Sequence, residues 1–162
     1  MINLFELARR FSAHGVEFVI VGGVAIRSHG GNYITEDLDI CYSRVRSNLK
    51  KIADALSPLN PRPRGIKDHL PYVFDWKTLQ HDTNFTFKTS MGDVDLLDEV
   101  KRLGGYDDLI NHAIAVDLDG YQTRILSIRS LIIAKKAAGR PKDEAGLQVL
   151  YALQESEDDE KE

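Results

Sequence analysis

The sequence has one cysteine and no long apolar run. Because Cys41 stands alone, an internal disulfide is excluded, and so few cysteines are typical of a reducing compartment. No stretch of eighteen apolar residues occurs, and the first residues lack the charged start and apolar centre of a signal peptide. None of the five histidines is spaced with other ligands as a zinc site requires. We therefore predict a cytoplasmic protein with no membrane contact and no zinc.

Positive charge is also in the minority. The chain carries 21 Lys and Arg against 25 Asp and Glu, a net charge of −4, which argues against a general nucleic-acid coat. Arg62, Arg64 and Lys67 are close in sequence and favour either a local basic groove or, more simply, a solvated loop. A length of 162 residues suits one core. We predict a single domain over residues 1–154 and a disordered acidic tail over residues 155–162.

The most informative feature is a pair of glycines followed by a pair of aspartates. The β-branched run 19–21 favours a buried strand, and Gly22 and Gly23 directly after it would let backbone N–H groups approach an anion. Asp37 and Asp39 are separated by one residue, so in a strand both carboxylates lie on one face. A bound Mg²⁺ would remove their repulsion. The alternatives that involve no ligand are an ordinary turn for the glycine pair and a solvated strand face for the aspartate pair.

A third acid is expected from the segment 85–97. Residues 85–89 alternate as in a strand, residues 90–92 form a turn, and residues 93–97 return with Asp93 and Asp95 on one face. If this strand lies beside the one that carries Asp37 and Asp39, three or four carboxylates converge. That number can hold two divalent ions about 4 Å apart. The residues themselves leave Asp93 and Asp95 open as the third acid.

These residues resemble the DNA polymerase β-like nucleotidyltransferase superfamily, in particular its small prokaryotic members related to the AbiEii-type toxins. The resemblance covers most of residues 16–150. It implies an α/β (α+β) nucleotidyltransferase fold, a small mixed β-sheet flanked by helices. It also implies that Asp37, Asp39 and Asp95 are the catalytic, metal-binding acids for two Mg²⁺ ions, with Mn²⁺ as the alternative metal. Asp95 is preferred to Asp93 because Gly92, Leu96 and Leu97 surround it as in the family's third-acid strand.

The same resemblance extends to the segment 126–143. It implies that Lys135 faces the nucleotide phosphates and that Arg140 and Asp143 support it, although Gly146 stands where relatives often carry a second acid. A plain alternative is that basic residues near a helix C-terminus complement its dipole. The predicted nucleotide-binding residues are Gly22, Gly23, Arg27 and Lys135. Arg27 is either close enough to reach a triphosphate or an ordinary surface residue.

The expected function is transfer of a nucleoside monophosphate from an NTP, such as ATP, to a hydroxyl acceptor with release of pyrophosphate. The acceptor would be tRNA, a protein or a small molecule, and a toxin–antitoxin partner or an oligomer formed through the N-terminal helix is also expected. Two alternatives remain. One is a non-catalytic, nucleotide-binding or partner-binding member resembling an antitoxin, and the other is a metal-dependent phosphohydrolase.

Hydrophobic periodicity gives the remaining elements. It predicts helices over residues 3–13, 24–29, 45–56, 107–113, 127–138 and 142–153, strands over residues 17–21, 38–42 and 72–74, and a hairpin of residues 114–118 and 121–126 around Asp119-Gly120.

Overall fold

A computed structural model describes residues 3–161 of the chain. In this part of the chain the α-helices are α1 (Leu4–Ala13), α2 (Gly23–Ser28), α3 (Arg46–Leu56), α4 (Tyr106–Leu109), α5 (Ile128–Ala138) and α6 (Glu144–Glu160). The strands are β1 (Phe18–Ile20), β2 (Asp37–Tyr42), β3 (Arg62–Pro63), β4 (Phe85–Thr89), β5 (Gly92–Leu97), β6 (Glu99–Val100), β7 (Gly104–Gly105), β8 (Ala113–Leu118) and β9 (Tyr121–Leu126).

Seven of the strands form one mixed sheet in the order β3-β4-β5-β2-β1-β9-β8. The pairs β2–β5 and β1–β9 are parallel, and the other neighbours are antiparallel. Strands β6 and β7 form a separate two-stranded ladder. The predicted mixed sheet flanked by helices is confirmed.

The two central strands β2 and β5 sort their side chains by alternation. Leu38 and Ile40 on β2 are fully buried, as are Val94 and Leu96 on β5. The intervening aspartates point to the opposite face, where they are half-buried. Parallel pairing in register sets Asp39 beside Asp95 and Asp37 beside Asp93. The sheet therefore gathers acids from two strands on one face.

The helix α1 covers the core through residues spaced at three and four positions. Leu4, Leu7, Ala8 and Phe11 are buried, and the Asn3 side chain caps the helix by accepting a hydrogen bond from the Glu6 backbone N–H at 3.1 Å. Within the described residues, one hydrophobic cluster extends from this helix through the sheet to Leu150 on α6. The face bearing the aspartates is thus supported by a continuous core.

Two sequence expectations differ from the structure. Helix α6 extends through Glu160, beyond the predicted end at residue 153, and the Lys161 and Glu157 side chains lie 3.8 Å apart at its last turn. The disordered tail predicted over residues 155–162 includes residue 162, which lies outside the described residues. The predicted strand over residues 72–74 is wrong, because this segment pairs with no strand and lies in an irregular loop. Among residues 3–161, no helix is both long and apolar enough to cross a membrane.

Candidate active site

Three carboxylates converge at the centre of the sheet. Asp37, Asp39 and Asp95 each offer an oxygen atom, and these atoms lie within 4.8 Å of one another. Strand alternation puts the three on one face, and the parallel β2–β5 register aligns them. Asp93 belongs to the same face but is not a member of this set. Such a set of hard oxygen donors has the chemistry that Mg²⁺ and Mn²⁺ prefer.

The carboxylates repel one another. Burial, followed by the charge of Asp95, raises the pKa of Asp39 to about 7, and Lys135 opposes this shift. Burial and the charge of Asp95 likewise raise the pKa of Asp37, with Arg64 opposing. Because ionised acids at this spacing are disfavoured, the site favours an added positive charge.

One such charge is already provided by the chain. The Arg64 guanidinium, which follows β3, donates a hydrogen bond to Asp95 Oδ1, and its Nη1 lies 3.8 Å from Asp93 Oδ2. The Arg64 backbone N–H donates to the Thr86 carbonyl at 2.9 Å, which anchors the residue at the end of the β3–β4 ladder. Arg64 therefore neutralises the Asp95 side of the cluster.

The glycine pair makes room for the acid cluster. A Cβ at Gly22 would overlap the Asp39 carboxylate and would lie 2.9 Å from the Asp39 Cβ. A Cβ at Gly23 would lie 2.6 Å from the Thr35 side chain and 2.9 Å from the ring of Tyr33. Both glycines are thus required for close approach of the residues that line the site.

A cationic cluster flanks Asp39 on the side of α5 and α6. Lys135 lies 3.3 Å from the carboxylate of Asp143 and 3.5 Å from the Tyr33 hydroxyl. The Arg140 Nε donates to the same carboxylate at 2.8 Å. These contacts hold the pKa of the buried Asp143 at about 2, with the Arg140 hydrogen bond as the largest cause. Asp143 therefore stays ionised and fixes both cations.

A cavity of about 360 Å³ joins the carboxylates to this cluster. Its charged lining comprises Glu36, Asp37, Asp39, Asp95, Asp143, Lys135, Arg140 and Lys142. Acids outnumber bases there, so an anionic ligand such as a triphosphate is not expected to bind without additional cations. Both the donor set and this charge balance fit divalent metal ions.

The structure brings most of the predicted site residues together. Gly22, Gly23 and Lys135 lie around the three acids. Arg27 does not line this cavity; its guanidinium stacks over the ring of Phe5, 5.1 Å from the ring centroid. Arg27 is thus an exposed residue outside the cavity.

Sequence reasoning missed two residues of this site. Tyr33 lies in the gap between the glycines and aspartates, and no local pattern distinguishes it there. For Arg64 the basic run 62–67 predicts either a local basic groove or a solvated loop, and neither alternative connects it to the third acid. Both join the site through contacts distant in sequence.

Comparison with known proteins gives structural but no sequence matches: no protein-family model and no curated protein matches the chain. ANT(2")-Ia in complex with adenylyl-2"-tobramycin superposes with a TM-score of 0.58 at 14% identity, over 95% of this chain and 91% of that one. A proposed nucleotidyltransferase, TM1012 of Thermotoga maritima, superposes with a TM-score of 0.55 at 16% identity, over 91% of this chain and 93% of that one. The solution structure of the antibiotic-resistance factor ANT(2")-Ia superposes with a TM-score of 0.52 at 13% identity, over 97% of this chain and 92% of that one.

These similarities define the class of fold. The chain has the nucleotidyltransferase fold, and its acid cluster lies on the central strands of that fold. The identities are low, so the fold is what the comparisons establish.

Proposed function

We propose that this protein is a metal-dependent nucleotidyltransferase that moves a nucleoside monophosphate from an NTP to a hydroxyl group. The observation that carries the proposal is the convergence of Asp37, Asp39 and Asp95, within 4.8 Å, beside a cavity with a cationic wall. The nucleotidyltransferase fold supports it.

The three aspartates would hold two Mg²⁺ ions, with Mn²⁺ as the alternative. Bound metal would neutralise phosphate charge and lower the pKa of the acceptor hydroxyl. Asp37 and Asp39 would be shared between the ions, and Asp95 would complete the acceptor side. Burial, followed by repulsion from Asp95, raises the pKa of Asp39, and bound metal would offset the repulsion.

The chain's own residues would bind and orient the triphosphate. Lys135, Arg140 and Lys142 line one wall of the cavity and supply the positive charge that phosphate oxygens require. Gly22 is the N-cap of α2 and Gly23 is its first residue; the first backbone N–H groups of a helix have no acceptor within it, so they are available to phosphate oxygens. Asp143 would hold Lys135 and Arg140 in place.

The reaction balances with these groups. The acceptor oxygen forms a bond to the α-phosphorus, the bond between that phosphorus and the bridging oxygen breaks, and pyrophosphate leaves. Asp95, once separated from Arg64, would accept the hydroxyl proton.

The proposal also includes the class of molecule that accepts the nucleoside monophosphate. ANT(2")-Ia was crystallised with adenylyl-2"-tobramycin, a nucleotidylated small molecule, and this chain covers 91% of that protein. This similarity supports ATP as a donor and a small hydroxyl compound as one acceptor class. The resemblance to AbiEii-type toxins supports tRNA or protein as the others, in a cytoplasmic toxin–antitoxin setting.

Calorimetric titration of the four NTPs, with and without Mg²⁺, tests the proposal on the wild type and on Asp39→Asn. Pyrophosphate release is then measured with pooled tRNA, a protein extract and an aminoglycoside mixture. Mg²⁺-dependent binding that the variant loses, together with pyrophosphate release, would establish the transferase. Binding without release for any acceptor class would favour the non-catalytic member, and release of inorganic phosphate alone would favour the phosphohydrolase.

A further inference from the structure

A second cavity adjoins the acid cluster. Its volume is about 220 Å³, and it shares Asp39, Lys135 and Arg140 with the polar cavity described above. Strand β5, strand β6 and helix α5 form most of its walls. Its apolar lining consists of Val21, Leu97, Val100, Leu131, Ala134 and Ala138.

The two cavities differ in chemistry. Apart from the shared residues, the charged lining of the second cavity is limited to Glu99 and Lys101, both of which are exposed. Lys142, Asp37 and Asp95 line only the polar cavity. One side of Asp39 is therefore suited to charged groups and the other to an apolar surface.

A nucleoside triphosphate has the same division along its length. The phosphates are anionic, the base is a flat and largely apolar heterocycle, and the α-phosphate lies between the other phosphates and the nucleoside. The proposed reaction requires the α-phosphate to lie beside Asp39. If the β- and γ-phosphates occupy the polar cavity beside Lys135, Arg140 and Lys142, the second cavity on the other side of Asp39 is open to the nucleoside.

We propose that the cavity between α5 and strands β5 and β6 receives the nucleobase of the NTP. This inference rests on the proposed function. Leu131, almost fully buried, and Ala134 form the helix side, while Leu97 and Val100 form the strand side. Burial of the base between these walls contributes affinity in proportion to the apolar area removed from water. Ala134 and Val100 thereby become positioning residues for the nucleotide.

Filling the cavity from either wall tests the assignment. Ala134→Phe enlarges a side chain on α5, and Val100→Phe enlarges one on β6. The measurement is calorimetric binding of Mg²⁺-ATP and of Mg²⁺-tripolyphosphate, which has the phosphates but no base. In each variant we expect ATP to bind at least tenfold more weakly, while tripolyphosphate affinity stays within twofold of the wild type.

Ala137→Phe is the matched control, because Ala137 is a half-buried alanine of the same helix that lines neither cavity. It should preserve both affinities. Because the two filled variants change opposite walls of the cavity, the test still stands if one of them fails to fold. Circular dichroism checks that each variant is folded.

The outcomes separate this inference from the proposed function. If the wild type binds neither ATP nor tripolyphosphate with Mg²⁺, the proposed function is rejected. If the wild type binds both and the filled variants retain ATP affinity, the nucleobase assignment is wrong and the function stands. Equal loss of ATP and tripolyphosphate in both folded variants would also overturn the assignment, because the phosphates would then depend on this cavity.

Discussion

The Arg64 guanidinium donates a hydrogen bond to Asp95 Oδ1, at the place where the carboxylate cluster meets the β3–β4 edge of the sheet. The pair brings together residues 31 positions apart. A side-chain cation thus occupies one carboxylate of the proposed metal site. A divalent ion that uses Asp95 must compete with this contact.

Removal of that competition should strengthen metal binding. We expect Arg64→Ala to bind Mn²⁺ about tenfold more tightly than the wild type in calorimetry, since a hydrogen bond to a charged group is worth about 1.5–3 kcal/mol. Lys67→Ala, an exposed change in the same loop, should leave the affinity unchanged. Equal or weaker Mn²⁺ binding by Arg64→Ala would mean that Arg64 holds Asp95 in position for the metal.

Gly22→Ala should disable the acid cluster. The φ angle at Gly22 is −113°, outside the left-handed region, so the expected effect comes from the added Cβ, which would overlap the Asp39 carboxylate. We expect Mn²⁺ affinity to fall at least tenfold while the circular dichroism spectrum is preserved. Gly105→Ala is the control, because Gly105 lines neither cavity at the acid cluster and its added Cβ would contact only the Asp98 carbonyl oxygen, at 3.2 Å. Undiminished Mn²⁺ binding by Gly22→Ala would show that Asp39 is not a ligand.

Local patterns were sufficient to predict the strands that carry the acids. Alternation placed Asp37 and Asp39 opposite Leu38 and Ile40, and the same period predicted the strand of Asp95. The hairpin 114–126 was also confirmed, with β8 starting one residue earlier. These features depend on neighbours in sequence, so the sequence alone can predict them.

The remaining features depend on contacts between distant residues. Tyr33 and Lys135 meet although they are 102 positions apart, and no periodicity encodes their approach. The apolar run 72–74 has strand-like composition but pairs with no strand. The Arg62 guanidinium instead lies over the Tyr72 ring, with its Cζ 6.0 Å from the ring centroid. The second cavity likewise arises only when α5 packs over β5 and β6. Tertiary packing decides such features.

Asp39→Asn should make the metal-free protein more stable. The wild type holds three mutually repelling carboxylates, and neutralising Asp39, whose pKa is raised by burial and by the charge of Asp95, removes part of that cost. In buffer with EDTA we expect the free energy of unfolding to rise by about 1 kcal/mol or more, as at other functional sites that trade stability for activity. Millimolar Mg²⁺ should raise the melting temperature of the wild type but not that of this variant.

Asp93→Asn provides the matched control for that comparison. Asp93 is on the same face but outside the set of three converging acids, so the variant should keep the Mg²⁺-induced rise in melting temperature. If Asp93→Asn loses the Mg²⁺-induced rise in melting temperature and Asp95→Asn retains it, then Asp93, rather than Asp95, is the third metal-binding acid.

Asp143 should contribute stability that depends on pH. Its pKa is about 2 in the folded protein, against an ordinary value of 3.8, because Arg140 and Lys135 stabilise the carboxylate. An acid with a depressed folded pKa stabilises the protein above its unfolded pKa, and this contribution is lost as the pH falls through the folded value. The two pKa values correspond to a contribution to the free energy of unfolding of about 2 kcal/mol at pH 7 and about half of that at pH 3.

Urea unfolding of Asp143→Asn should therefore show a free energy of unfolding that is lower than the wild-type value by that amount at pH 7, and by less at pH 3. The exposed Asp54→Asn on α3 should change stability by less than about 0.5 kcal/mol at either pH. A deficit for Asp143→Asn that is equal at both pH values would indicate that lost packing, rather than the charge of Asp143, causes it.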